Sequence, residues 1–148
     1  MSRVDPTARR KAREAALQML YQAEVGRAGP QETIVTYWAA NDPGAEIDDD
    51  SRAFANTLVK ETLARLDEID RLLGTHTKHW RVERMAVIDR IVLRLAVAEL
   101  MTQPSTPAKV VINEAIELAR TFSGDEAVPF VNGVLDAVRK NLSPEPEP

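Results

Sequence analysis

The stretch Met85–Met101, MAVIDRIVLRLAVAELM, sets the tightest limit on how this chain can fold. At about 100° per residue, Ile88, Ile91, Val92 and Leu95 form one side of a helix. Leu93, Val97 and Leu100 form another, and Ala86, Ala96 and Ala98 fill the gaps. A helix apolar on most faces must be enclosed by other elements. Asp89, Arg90, Arg94 and Glu99 interrupt it too often for a bilayer span. Arg94 and Glu99, set among apolar neighbours, need partners, because an unpaired buried charge costs several kcal/mol or more. The stretch reads as the central helix of an all-α protein.

The 148 residues suit one domain with its own core. Residues 1–142 are expected to form it, and the Pro/Glu tail 143–148, SPEPEP, to be disordered. With no cysteine there is no disulfide framework, thiolate metal site or cysteine nucleophile. No apolar run resembles a signal peptide or a membrane span, so a cytoplasmic protein without a membrane partner is expected. The net charge of −4 speaks against nucleic acid, but the distribution does not. Arg3, Arg9, Arg10, Lys11 and Arg13 crowd the start, while Asp48, Asp49 and Asp50 sit in mid-chain.

Asp5 as N-cap and Pro6 at the first helical position open a helix that Gly26 should close. Ala12, Ala16, Met19, Leu20 and Ala23 recur on it at helical spacing. Its first two turns carry Arg9, Arg10, Lys11 and Arg13, the wrong sign for a helix start, where each cation costs roughly 0.3–1 kcal/mol. A departure from local rules marks a functional site more often than a solvated face. Anion binding is the expectation, since a helix start already favours anions.

Gln31–Ala40 reads as a second helix using Ile34, Val35, Tyr37 and Trp38. NDPGAEIDDDS follows as a solvated loop, lacking EF-hand spacing. Asp50 or Ser51 should cap one long helix to Leu73, stopped by Gly74 and buried through Phe54, Leu58, Leu66, Ile69 and Leu73. His76 and His79 stand three apart, but no third ligand is near and Lys78 lies between, so no metal is expected. Trp80 should anchor the connection into the core.

After QPSTP, Lys109–Phe122 forms a helix with Ile112, Ala115, Ile116 and Ala119 inward, closed by Gly124. Glu117 can pair with Arg120 on its outer face. Asp125 is a candidate cap for the last helix, and Pro129 places its regular start at Val128–Pro129. Val131, Val134, Leu135, Val138 and Leu142 face inward. Phe130, Gly133 and Ala137 make a second, smooth stripe at i, i+3, i+7, and Gly133 costs about 1 kcal/mol relative to alanine. On the residues alone, packing of another helix on the stripe is favoured over the stacking of Phe130 on an unpaired base. The total is about seven helices in two short bundles sharing the central helix. No nucleotide loop, nucleophile elbow or histidine placed with a nucleophile appears, so neither a cofactor nor catalysis is expected.

Three stretches together resemble the NusB family of bacterial transcription antitermination factors. They are RRKAREAALQMLY (9–21), DRIVLRLAVAEL (89–100) and VINEAIELARTFSGDEAVPFVNGVLD (111–136). INEAIELA followed by FVNGVLD is the specific part, and the likeness runs in order along nearly the whole length. The resemblance implies two small helical bundles and no catalytic activity. It implies binding to the boxA element of nascent RNA together with NusE, a small-subunit ribosomal protein. It also implies assembly with RNA polymerase and other Nus factors, suppressing termination during ribosomal RNA synthesis. By position, Arg9, Arg10 and Arg13 fall on the family's arginine-rich RNA-binding segment, with Lys11 among them. Phe130 falls on the aromatic of the FVNG motif near the RNA, and Asp89 with Arg90 on the face that meets the ribosomal protein. Some members self-associate, so a homodimer is among the expected states. Two alternatives stand beside this reading. One is a helical protein-interaction module. The other is an RNA-targeting domain like that preceding the catalytic domain of some ribosomal RNA cytosine methyltransferases, although only about a dozen residues follow Asp136.

Overall fold

The computed structural model describes residues 6–41, 47–77 and 81–142. Asp5, His79, Trp80 and the 143–148 tail, with the expectations attached to them, lie outside the described residues. Seven α-helices and two short 3-10 turns make up the described residues, with no strand among them. They divide into two compact units, 1–64 and 65–148.

The first unit holds α1 (Pro6–Gly26), α2 (Pro30–Ala40) and α3 (Asp49–Ala64), each packed on the other two. Small residues let α1 approach closely: Ala12, Ala15, Ala16 and Ala23 are buried beside Leu17, Met19 and Leu20. α1 ends at Gly26 as expected, but the left-handed residue is Arg27, with φ 53°. In α2, Ile34 and Tyr37 are buried and Trp38 is half-buried. Tyr37 donates its hydroxyl to Gln18 Oε1 at 2.6 Å, and Trp38 donates Nε1–H to Asn56 Oδ1 at 2.7 Å. Val35 was expected to serve this core and instead stands 58% exposed, because the inward face of α2 runs through Thr33, Ile34 and Tyr37 and helix phase turns Val35 away from it.

The single long helix expected up to Leu73 is in fact two. α3 stops at Ala64, Arg65 leaves helical geometry at φ −110°, ψ 19°, and α4 runs Leu66–Thr75 with Asp67 and Glu68 in its first turn. Acids there favour a helix start. The cap of α3 is neither Asp50 nor Ser51 but Asp48, whose Oδ1 accepts the Ser51 N–H at 2.8 Å. The geometry requires an acceptor three residues before that amide.

The second unit holds α4, α5 (Val87–Thr102), α6 (Ala108–Phe122) and α7 (Val128–Leu142). α5 is the apolar helix of the opening argument and packs on α4, α6 and α7. Ile91, Val92, Leu93, Leu95, Ala96, Val97 and Ala98 are all buried. Arg94 finds its partner in Asp70 of α4, donating from Nε and Nη2 to both carboxylate oxygens at 2.8 and 2.7 Å. Glu99, 1% exposed, is engaged as well. The expected Glu117–Arg120 pair forms on α6. Gly124 closes α6 with φ +133°, donating to the Ala119 carbonyl at 2.9 Å. A 3-10 turn, Asp125–Ala127, then leads into α7 where Pro129 predicts its start. No helix among the described residues is long and apolar enough to cross a membrane.

Candidate nucleic-acid interface

In the first unit the site is built from the start of α1 and one ring of α3. Arg9 and Arg13 stand one turn apart and share a helix face. Both guanidinium groups meet Phe54: the carbon of Arg9 lies 3.9 Å from the ring centroid, that of Arg13 5.5 Å. Such cation–ring contacts contribute about 0.5–2 kcal/mol. They offset the cost of placing Arg9 and Arg13 near the helix start. The expected cations have different surroundings. Arg10 and Lys11 are exposed, the Arg9 side chain is 21% exposed, and Arg13 is buried at 5%. Arg9 Nη2 lies 3.7 Å from Asp50 Oδ2, and its Nη1 is buried with no hydrogen-bond partner among the described residues. The Asp48 carboxyl is held below the usual range by the Ser51 N–H, then by the Ser51 side chain, with Arg9's charge adding a smaller part.

In the second unit the start of α5, the 3-10 turn and the start of α7 enclose a cleft of about 450 Å³. Asp89 and Phe130 both line it, together with Met85, Glu126 and Ala127. Two residues 41 positions apart, read separately as a protein contact and an RNA contact, therefore share one cleft. Asp89 Oδ1 is buried and accepts no hydrogen bond among the described residues, a costly state for a carboxylate. Phe130 is half-buried. Arg90 points elsewhere: its Nη1 lies 3.3–3.4 Å from the carbonyls of Val82, Glu83 and Met85, tying the 3-10 turn Val82–Arg84 to α5. A Cβ built on Gly133 would meet nothing within 4 Å, so no described part of the chain packs against that point of the smooth stripe.

Phe54 and Asp50 are the site residues that sequence reasoning missed. Phe54 carried a signal in being the only aromatic of α3, but it was read as core alone.

Together these features define a class: an all-α protein with an arginine face mounted on an aromatic ring, and a small cleft joining an acid to a phenylalanine. Comparison with known proteins identifies which. Residues 10–140 match the NusB family, and the chain belongs to that family. It is 47% identical over 137 residues to the transcription antitermination protein NusB of Koribacter versatilis, covering 93% of this chain and 92% of that one. A solved structure of T. maritima NusB superposes with a TM-score of 0.80 at 31% identity, over 89% of this chain and 90% of that one. A crystal structure of the antitermination factors NusB and NusE in complex with double-stranded RNA also matches, with a TM-score of 0.80 at 28% identity, over 90% and 97% of the two chains.

Proposed function

We propose that this chain is a non-catalytic, cytoplasmic transcription antitermination factor that binds boxA RNA together with NusE. In this reading it joins RNA polymerase and the other Nus factors to support ribosomal RNA transcription, as a single RNA-binding module over residues 1–142. The observation that carries the proposal is the cleft lined jointly by Asp89 and Phe130 in a chain whose solved relative is seen with NusE and RNA. Phe130 stacks on an unpaired base. The unpartnered oxygen of Asp89 receives a donor from the protein partner, while Arg90 fixes the neighbouring turn. Arg9, Arg10 and Lys11 meet phosphates, and Arg13 supports them from beneath through Phe54.

Magnitudes separate three contacts from four. Single-strand binding weakens with a log–log salt slope near −0.7 per phosphate. Four contacts imply about a fifty-fold loss between 50 and 200 mM salt, whereas three, with buried Arg13 withheld, imply about twenty-fold. Either affinity is modest, which suits a factor completed by a partner.

The test is a titration with boxA RNA and a scrambled RNA, with and without NusE, at both salt concentrations. The reading expects a preference for boxA, tightening with NusE, and loss of binding in Arg10→Glu/Lys11→Glu at unchanged helicity. Indifference of that variant would favour a protein-interaction module alone, the reading that the orphan oxygen of Asp89 also suits.

A further inference from the structure

We propose that Asp50 is an electrostatic counterweight to Arg9 that holds down the affinity of α1 for every RNA, boxA or not. The inference rests on the reading above that the start of α1 meets RNA phosphates. Its basis is how unequally the groups around Arg9 are held. One face of the guanidinium lies on Phe54, which favours the position Arg9 takes beside α3. Asp48 is committed to capping α3 through the Ser51 amide. Asp50 is not committed: its side chain is 87% exposed and its contact with Arg9, at 3.7 Å, is longer than a hydrogen bond. An incoming phosphate must therefore share Arg9 with this carboxylate or push it aside. Two like charges then stand within a few ångströms of one cation, and the carboxylate lowers RNA affinity by about the worth of one exposed ion pair. Phosphate contacts carry no sequence information, so the penalty falls equally on all RNAs.

The experiment measures binding of boxA and scrambled RNA to the full chain and to Asp50→Asn, each with native Arg9 and with Arg9→Gln. Asp50→Asn should bind both RNAs about two- to fivefold more tightly, leaving their ratio unchanged, and the gain should vanish in the Arg9→Gln background. Asp50→Glu should bind as the native chain does, and thermal melts confirm that each variant is folded. No tightening, or a gain that survives Arg9→Gln, would overturn the proposal. A native chain with equal affinity for the two RNAs would overturn the boxA reading instead, and the effect of Asp50 would still be read on both.

Discussion

Arg94 shows what one residue can and cannot announce. Its place within an apolar helix demands a partner, but nothing near it in sequence says which. The answer, Asp70, lies 24 positions earlier and meets it with two short hydrogen bonds. The two side chains are 15% and 31% exposed, so the pair is screened less than a surface one. Asp70→Ala should lower unfolding free energy by about 2 kcal/mol, because it leaves a largely buried guanidinium half-satisfied. Urea denaturation reads this directly, and an unchanged midpoint would show that solvent replaces Asp70 at no cost. Phe54 teaches the complementary lesson. Helical periodicity assigned it to a buried stripe, and no pattern within α3 could reveal that two arginines of α1 lie against it. Long-range pairing is the part of the site that sequence leaves open.

At the scale of elements, the readings that held had a stereochemical signal behind them. Pro129 marked the start of α7, and Gly124, at φ +133°, marked the end of α6. A Cβ at Gly124 would meet only the flexible end of the Glu126 side chain, so the backbone angle is what favours glycine there. The break between α3 and α4 had no glycine or proline to mark it. Its only trace is the acidic pair Asp67–Glu68, which suits a helix start. The cap of α3 was ambiguous for a simple reason: three consecutive aspartates offer the same oxygen at three registers, and only the fold selects Asp48. Gly133 was expected to permit a close approach, and none is made by the described chain. Gly133→Ala should therefore stabilise α7 by about 0.5–1 kcal/mol, the ordinary helix-propensity gain. A rise in melting temperature is the expected readout. If the same variant weakens binding to RNA or NusE, the open space serves a partner.

Over the whole molecule, the shifted groups bound a pH range of full stability. Asp136 titrates below the ordinary 3.8 because Arg139, then Lys140, donate to it, and Asp48 does so through Ser51. A depressed folded pKa gives stability present above the unfolded value and lost as pH falls through the folded one. Tyr37 works in the opposite direction. Burial first, then the charge of Glu14, raise it above 10.0, so its contribution is present below the unfolded value and lost as pH rises through the folded one. The melting temperature should be level from about pH 5 to pH 9 and fall on both sides. Asp136→Asn should shallow the acid limb and Tyr37→Phe the alkaline one. Limbs unchanged by these substitutions would assign the titration to other groups.

If α1 meets RNA as proposed, the ring beneath Arg9 bears on how fast that RNA is captured. A free arginine side chain carries about 2 kcal/mol of rotameric entropy, and a surface cation must surrender some of it whenever it grips a ligand. The contact with Phe54 already withdraws part of that freedom in the folded chain. In the reading proposed above, a phosphate arriving at α1 would meet a donor whose orientation is already partly set, and less ordering of Arg9 would precede its capture.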